Sequence, residues 1–361
     1  MQKNIKNILI INPFGIGDVL FTTPLIESLS ARIEGCRIGF LCNRRTETLL
    51  RANPKIKWVF AYEKDELRAL WKGSKAEYFK RLFSLARDVR EKKFDAVIDL
   101  SLTREYWLLC LLAGIKERIG FNYKGRGAYL TRKIGISGYV GKHVIEHYLE
   151  LLRFIGIEPV QKNISLYLPP EDKRWAVDFL RTNGIKEGEL VIGIAPAGGA
   201  SWGKEAVIKH WQSGDFAVVA DRLTESTGTK IVLLGSGAEA GICEKTLKAM
   251  KNPAVMACGK TTLLQSAALM SLCGLVIAND GGPLHLAVAA GAKTVGIFGP
   301  VDEKVYGQYP PAGRHKTVKE DIECRPCYRD FRMKECAERK CLSWISPEAV
   351  FKAATEALAA K

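Results

Sequence analysis

The chain has 361 residues, 47% hydrophobic and 26% charged, enough for large cores and about two domains. No run approaches the roughly 20 unbroken apolar residues that a helical membrane span needs. The formal net charge of +15, from 54 Lys and Arg against 39 Asp and Glu, favours polyanionic partners: nucleic acid, an anionic membrane surface or a phosphorylated substrate. The basic residues are spread along the chain, with no low-complexity arm and no motif of a nucleic-acid-binding module, so no nucleic-acid partner is expected.

The opening "MQKNIKNILIINPFGIGDVL" sets basic residues before an apolar segment, as a signal peptide would. Its apolar run "ILII" is only four residues and strand-like, and no small-residue cleavage site follows, so the expectation is a mature cytoplasmic start. "NILIINP" and "RIGFLCN" read as strands on either side of a helix-like "GDVLFTTPLIESLSARI". "KWVFAYE" and "FDAVIDLS" come next, with the helical "AEYFKRLFSLARDVREKK" between them, and "KERIGF" repeats the strand signal. This alternation predicts a parallel sheet covered on both faces. Pro169 and Pro170 break the pattern, which places a linker near residues 160–170.

A second alternating set then runs from "LVIGIAP" through "KIVLLGS", "AVMACG" and "GLVIAND" to "KTVGIFGP". It ends in a helix with Ser346 as N-cap, Pro347 at its first position and Glu348 in its first turn. The expected fold is α/β, with two doubly wound domains at 1–165 and 166–345. A C-terminal helix at 346–361 is a candidate to pack back on the first domain. Two such domains facing each other leave a cleft, and ligands bind at the carboxyl ends of the strands.

Three loops carry candidate chemistry. In "NPFGIGDVLFTTP", Gly15 and Gly17 follow a strand and open a helix, but Leu20 replaces the third glycine of a dinucleotide fingerprint. The next strand ends in Asn43 and Arg44 rather than an acidic residue, which disfavours a nicotinamide cofactor. What remains is a turn that sets Asp18 in the first helical turn, where it either complements the helix dipole or meets a ligand. In "IGIAPAGGASWGKEAVIKHW", Gly198 and Gly199 free backbone N–H groups, Ser201 adds a hydroxyl, and Lys204 and Lys209 supply charge for a phosphate. In "NDGGPLHLAVAAG", the N–H groups of Gly282, Leu284 and His285 would meet an anion at a helix N-terminus. Asp280, of like charge to that anion, suits sugar hydroxyls instead.

"CRPCYRDFRMKECAERKC" supplies Cys324, Cys327, Cys336 and Cys341. They form a candidate structural site for zinc or an iron–sulfur cluster, with a reduced cluster free of metal as the equal alternative.

In order, "GIGDVLFTTP", "FDAVIDLS…RIGF", "PAGGASWGK…KHW", "LLGSGAE", "NDGGPLHLA", "VGIFGP" and the late "CRPC" resemble glycosyltransferase family 9, the heptosyltransferases of lipopolysaccharide core assembly, over nearly the whole chain. The resemblance implies GT-B architecture, in which two Rossmann-like domains face each other across a cleft. It implies a donor such as ADP-heptose and a lipid-linked, phosphorylated saccharide acceptor at the inner face of the cytoplasmic membrane. It makes Asp18 the base that takes the acceptor proton and Lys209 the lysine on the donor side. Glu239 would hold the nucleotide ribose. Asp280 would bind the donor sugar, with Gly199, Ser201, Gly281, Gly282, Leu284 and His285 around it and the diphosphate. Gly17, Arg44 and Arg45 fall on the acceptor side, with Lys124 and Arg126 as further basic candidates. This chain departs from the family at Gly281, where the family usually carries Ser or Thr.

Direct displacement at an anomeric carbon needs a base on one face and a stabilised leaving group on the other, which predicts inversion. No Asp-x-Asp pair of a metal-dependent transferase is present in the sequence, so no cofactor is expected for catalysis. Two alternatives remain at this level: a nucleotide-sugar epimerase of the same fold, and a non-catalytic polyanion-binding protein on a degenerate scaffold.

Overall fold

The computed structural model describes residues 5–311 and 313–360; the side chains of Lys64, Asp65, Leu67, Arg68, Ala69, Ala200, Ser201 and Lys204 lie outside the described set. The chain divides into two compact units, Met1–Asn163 and Ile164–Lys361.

The first unit is built on β1 (Asn7–Asn12), β2 (Arg37–Cys42), β3 (Ile56–Ala61), β4 (Ala96–Asp99), β5 (Glu117–Tyr123) and β6 (Arg132–Ile136). They form one parallel sheet in the order β3-β2-β1-β4-β5-β6. The middle strand β1, NILIIN, is buried along its whole length, as a parallel strand covered on both faces must be. One face packs Leu9, Ile11, Leu41 and Val97 against Leu82, Ala86 and Val89 of the helix Lys75–Glu91 and against Leu109 and Cys110 of the helix Trp107–Leu112.

The stretch expected as one helix after β1 is two, Ile16–Phe21 and Thr23–Arg32. Pro24 sits in the first turn of the second and offers no N–H to continue the ladder. The Thr22 and Thr23 hydroxyls donate instead to the carbonyls of Asp18 (2.9 Å) and Leu20 (2.7 Å).

The second unit repeats the plan with β7 (Val191–Ala195), β8 (Lys230–Leu233), β9 (Ala254–Met256), β10 (Leu275–Asn279), β11 (Thr294–Phe298) and β12 (His315–Lys319), all parallel in the order β12-β11-β10-β7-β8-β9. The final helix, Pro347–Ala359, belongs to this unit. Val350, Ala354 and Ala357 are buried in the core formed by Ile194, Ile277, Val295 and Ile297, and the Ser346 hydroxyl caps the helix by accepting from Ala349 N. Both sheets therefore have the Rossmann strand order, with switch points between β1 and β4 and between β7 and β10. The loops leaving the carboxyl ends of those strands are where such sheets hold ligands. Among the described residues no helix is long and apolar enough to cross a membrane.

Candidate active site

The two loops of the second switch point carry most of the donor-side candidates. β10 ends at Asn279, which is fully buried and acts as a brace. Its amide Nδ2 donates to the Pro196 carbonyl (2.8 Å) beyond β7, and its Oδ1 accepts from Trp211 N (2.9 Å). One side chain thus ties the end of β10, the loop after β7 and the residues following Lys209 into one body. A second tie runs from His210 Nε2–H to the Gly198 carbonyl (2.7 Å).

Against this frame Lys209 and Asp280 meet. Lys209 Nζ lies 2.5 Å from Asp280 Oδ2, with 7% and 4% of the two side chains exposed. The contact is a charge pair, and Asp280 Oδ2 makes no protein hydrogen bond. Burying two charges in this way costs desolvation that mutual attraction only partly offsets, so the pair is weak evidence for stability. It does place one cation and one carboxylate side by side where a ligand would enter. The sequence pattern assigns these residues separate tasks, Lys209 for phosphate and Asp280 for sugar hydroxyls; the structure adds that each neutralises the other.

Gly281 follows with φ 155°, in the region that favours glycine, and opens the helix Gly282–Ala289 with Pro283 in its first turn. A Cβ there would stand 3.2 Å from Gly199 N and 3.8 Å from Gly199 Cα. The departure from Ser or Thr at this position accompanies this close approach of the two loops. Gly198 and Gly199 also have positive φ, 120° and 79°. The N–H groups of Gly282 and Leu284 belong to the first turn, whose donors a helix cannot satisfy internally. The His285 N–H is already used, donating to the Gly281 carbonyl (3.4 Å), so His285 offers a ligand its ring rather than its amide. Burial, with the Lys209 charge adding to it, pushes the His285 imidazole down to about 3, so the ring is neutral at physiological pH.

Glu239 is half-buried at the short turn Gly237–Glu239 after β8. Its Oε2 accepts from Ser236 N and Ser236 Oγ, both at 2.7 Å, so its carboxylate caps its own turn. The Ser201 and Lys204 side chains lie outside the described residues.

In the first unit, Asn12 at the end of β1 organises the turn that carries Asp18. Its Nδ2 donates to the Asp18 carbonyl (3.0 Å) and to Thr22 Oγ1 (2.9 Å), while the Asp18 carboxylate accepts from Gly15 N (3.3 Å). Asp18 is half-buried, and Gly17 lies inside the first helical turn rather than before it. The neighbouring strand β2 ends in Asn43, whose side chain accepts from Arg45 N and Nε (3.0 and 3.2 Å). Glu63 accepts from Arg44 N (2.7 Å). Beyond β5, Lys124 and Arg126 lie over the Tyr123 ring at 4.9 and 5.4 Å, and Arg104 donates to the Gly125 carbonyl (3.1 Å). The loops after β2, β4 and β5 thus all set basic side chains at the sheet edge that bears Asp18.

Asp99, which sequence reasoning did not single out, ends β4 beside β1. It is buried, accepts from Ser101 N (2.7 Å) and from the Tyr129 hydroxyl, and burial holds its carboxyl above the usual carboxylate range. The signal was an acidic residue closing the apolar run "AVID".

The four late cysteines are all free thiols. Cys327 Sγ donates to the Cys324 carbonyl (3.0 Å), Cys336 Sγ accepts from Arg339 N (3.4 Å), and Cys341 packs into the core beside Leu342 and Ile345. Burial, with the neighbouring Cys324 and Cys336 thiols adding to it, raises the Cys327 thiol, and burial first of all pushes Cys341 up to about 11. Among the described residues no group of three or more His, Cys, Asp or Glu could hold a metal ion. The zinc or iron–sulfur site that their spacing suggested finds no support in this placement.

Known structures match the chain from end to end. A family 9 glycosyltransferase from Veillonella parvula superposes with a TM-score of 0.82 at 23% identity, covering 99% of this chain and 98% of that one. Escherichia coli heptosyltransferase WaaC, solved with ADP, superposes with a TM-score of 0.71 at 19% identity, covering 97% and 99%. The two Rossmann-like units are those of the GT-B glycosyltransferases. Among curated proteins, Escherichia coli lipopolysaccharide heptosyltransferase 3 is 25% identical over 295 residues, 79% of this chain and 81% of that protein. The model of glycosyltransferase family 9 (heptosyltransferase) matches residues 82–339, and the chain belongs to that family.

Proposed function

We propose that this glycosyltransferase moves a heptose from ADP-heptose to a phosphorylated saccharide of the lipopolysaccharide inner core, with inversion and without a catalytic metal. The observation that carries the reading is the buried Lys209–Asp280 pair beside the Gly198–Gly199 loop and the start of the helix Gly282–Ala289. A nucleotide diphosphate brings negative charge and needs a cation and N–H donors. A sugar brings hydroxyls and needs an acceptor such as a carboxylate. The similar WaaC heptosyltransferase was solved with ADP, which supports that donor here.

In this mechanism the Asp18 carboxylate takes the proton of the acceptor hydroxyl as its oxygen bonds to the anomeric carbon. The bond from that carbon to the diphosphate oxygen breaks, and the leaving ADP takes the electron pair. Lys209 and the helix N-terminus meet the charge that develops there, while Asp280 and neutral His285 offer polar contacts to the sugar and diphosphate.

Arg44, Arg45, Lys124 and Arg126 suit an acceptor bearing phosphates. Exposed Trp71, Phe79 and Phe83, interspersed with Lys72, Lys75 and Lys80, suit a peripheral contact with the anionic inner face of the cytoplasmic membrane. Calorimetry against ADP, UDP and GDP tests the donor, with selective ADP binding expected. Asp18→Asn should abolish turnover while ADP still binds; equal loss of both would remove Asp18 from the role of base.

A further inference from the structure

Between Gly199 and Lys209 the chain makes an irregular turn broken at Gly203 (φ 59°, ψ −128°), and Trp202 within it has been given no role so far. Its backbone is held by Trp202 N donating to the Gly199 carbonyl (2.8 Å). Its ring lies over the ammonium that pairs with Asp280: Lys209 Nζ is 4.3 Å from the Trp202 ring centroid. The cation therefore sits between a carboxylate and an aromatic face.

On its other contacts the Trp202 ring meets Tyr328, with centroids 4.9 Å apart at 44°, and Tyr328 in turn meets Tyr306 at 5.9 Å and 61°. Tyr328 belongs to the cysteine-rich segment and is pinned by its own N–H donating to the Pro300 carbonyl (3.1 Å), next to the same contact from Cys327 N (2.9 Å). The segment grips the loop a second time, where Arg339 Nη1 donates to the Val207 carbonyl (2.9 Å).

We propose that Trp202 is a positioning residue for Lys209, and that Tyr328 of the cysteine-rich segment holds Trp202 in place. This rests on the reading of Lys209 as the donor-side cation. A lysine has a long stem with much rotamer freedom, and a carboxylate alone would draw its ammonium out of reach of a diphosphate. An aromatic face supplies a second attraction of another direction and needs no charge of its own. It fixes the ammonium without adding to the negative charge that the leaving group must overcome. The cysteine-rich segment then acts at the donor site through packing.

The test compares Trp202→Phe, which keeps an aromatic face, with Trp202→Leu, which keeps apolar bulk without one. Tyr328→Leu and Lys209→Met complete the set, with kcat and KM for the nucleotide sugar measured alongside thermal melts. Trp202→Leu should lower kcat/KM about tenfold, between the exposed and the fully desolvated values of a cation–π contact. Trp202→Phe should recover most of it, and Tyr328→Leu should fall between. In a Lys209→Met background Trp202→Leu should cost nothing further, because its effect passes through the lysine.

Equal activity of the Leu and Phe variants would overturn the positioning role, as would full additivity with Lys209→Met. If Trp202→Leu fails to fold, Tyr328→Leu carries the test: wild-type kinetics for it would overturn the proposal. Full activity of Lys209→Met would refute the donor-side reading and this inference together. Loss with Lys209→Met but none with Trp202→Leu would refute this inference alone.

Discussion

Replacing Lys209 by methionine removes the cation and keeps most of the stem. Asp280 then remains with 4% of its side chain exposed and no cation at 2.5 Å. Breaking a buried pair from one side typically costs about 3–5 kcal/mol, most of it the penalty of an uncompensated charge. For a unit of this size each kcal/mol moves the melting midpoint by about 2–4 °C, so the variant should melt roughly 6–20 °C lower. The double variant Lys209→Met with Asp280→Asn removes both charges and should regain most of that loss, a coupling of about 2 kcal/mol or more between neighbours. Urea or thermal melts of the wild type, both single variants and the double variant measure the cycle. A double variant as unstable as Lys209→Met would refute the reasoning, since the damage would then come from lost packing of the lysine stem rather than from the stranded carboxylate.

Three further outcomes are expected. The buried His285 binds its proton only near pH 3, whereas an unfolded histidine does so near 6.5, so the unfolded state takes up protons first. Stability should therefore be fully present above about pH 6.5 and fall by up to about 1.4 kcal/mol per unit as pH drops toward 3. His315, lowered by burial to about 4, contributes in the same direction. His285→Gln should thus have a shallower decline than wild type in urea melts between pH 7 and 5, and parallel curves would disprove the assignment. Gly281→Ser places a Cβ 3.2 Å from Gly199 N at a φ of 155° and should cost about 1–3 kcal/mol; an unchanged melt would mean that the two loops separate freely. Tyr129→Phe removes a donor to buried Asp99 and should cost about 1–3 kcal/mol by leaving part of that carboxyl unsatisfied. Denaturant melts at fixed pH check this, and no change would show that water replaces the phenol.

Much of this protein follows from sequence periodicity alone. Buried parallel strands are continuous apolar runs because both faces are covered, and the strings "NILIIN", "AVID", "VIGIA", "LVIAN" and "TVGIF" are legible for that reason. The glycine-bearing loops after β1, β7 and β10 were legible too, since turns that must clear a ligand or each other use glycine. The strands that escaped were β6, RKIGI, and β12, HKTVK, at the sheet edges; each is covered on fewer sides and mixes charge with apolar residues.

Pairings across the chain needed the tertiary structure. Lys209 and Asp280 are separated by three strands in sequence, and only the adjacency of β7 and β10 sets them 2.5 Å apart. The bracing by Asn279, the packing of Trp202 between Lys209 and Tyr328, and the seating of Asp99 under Tyr129 depend on the same long-range geometry. The cysteines mark the limit of spacing as a guide. Their intervals allow a metal, but where the backbone turns and which thiols are buried decides whether the sulfurs converge, and that is a property of the fold. Local pattern determines which elements form, because each residue's burial is set by its immediate periodicity. The chemistry of the site depends on which ends of those elements the sheet order brings together.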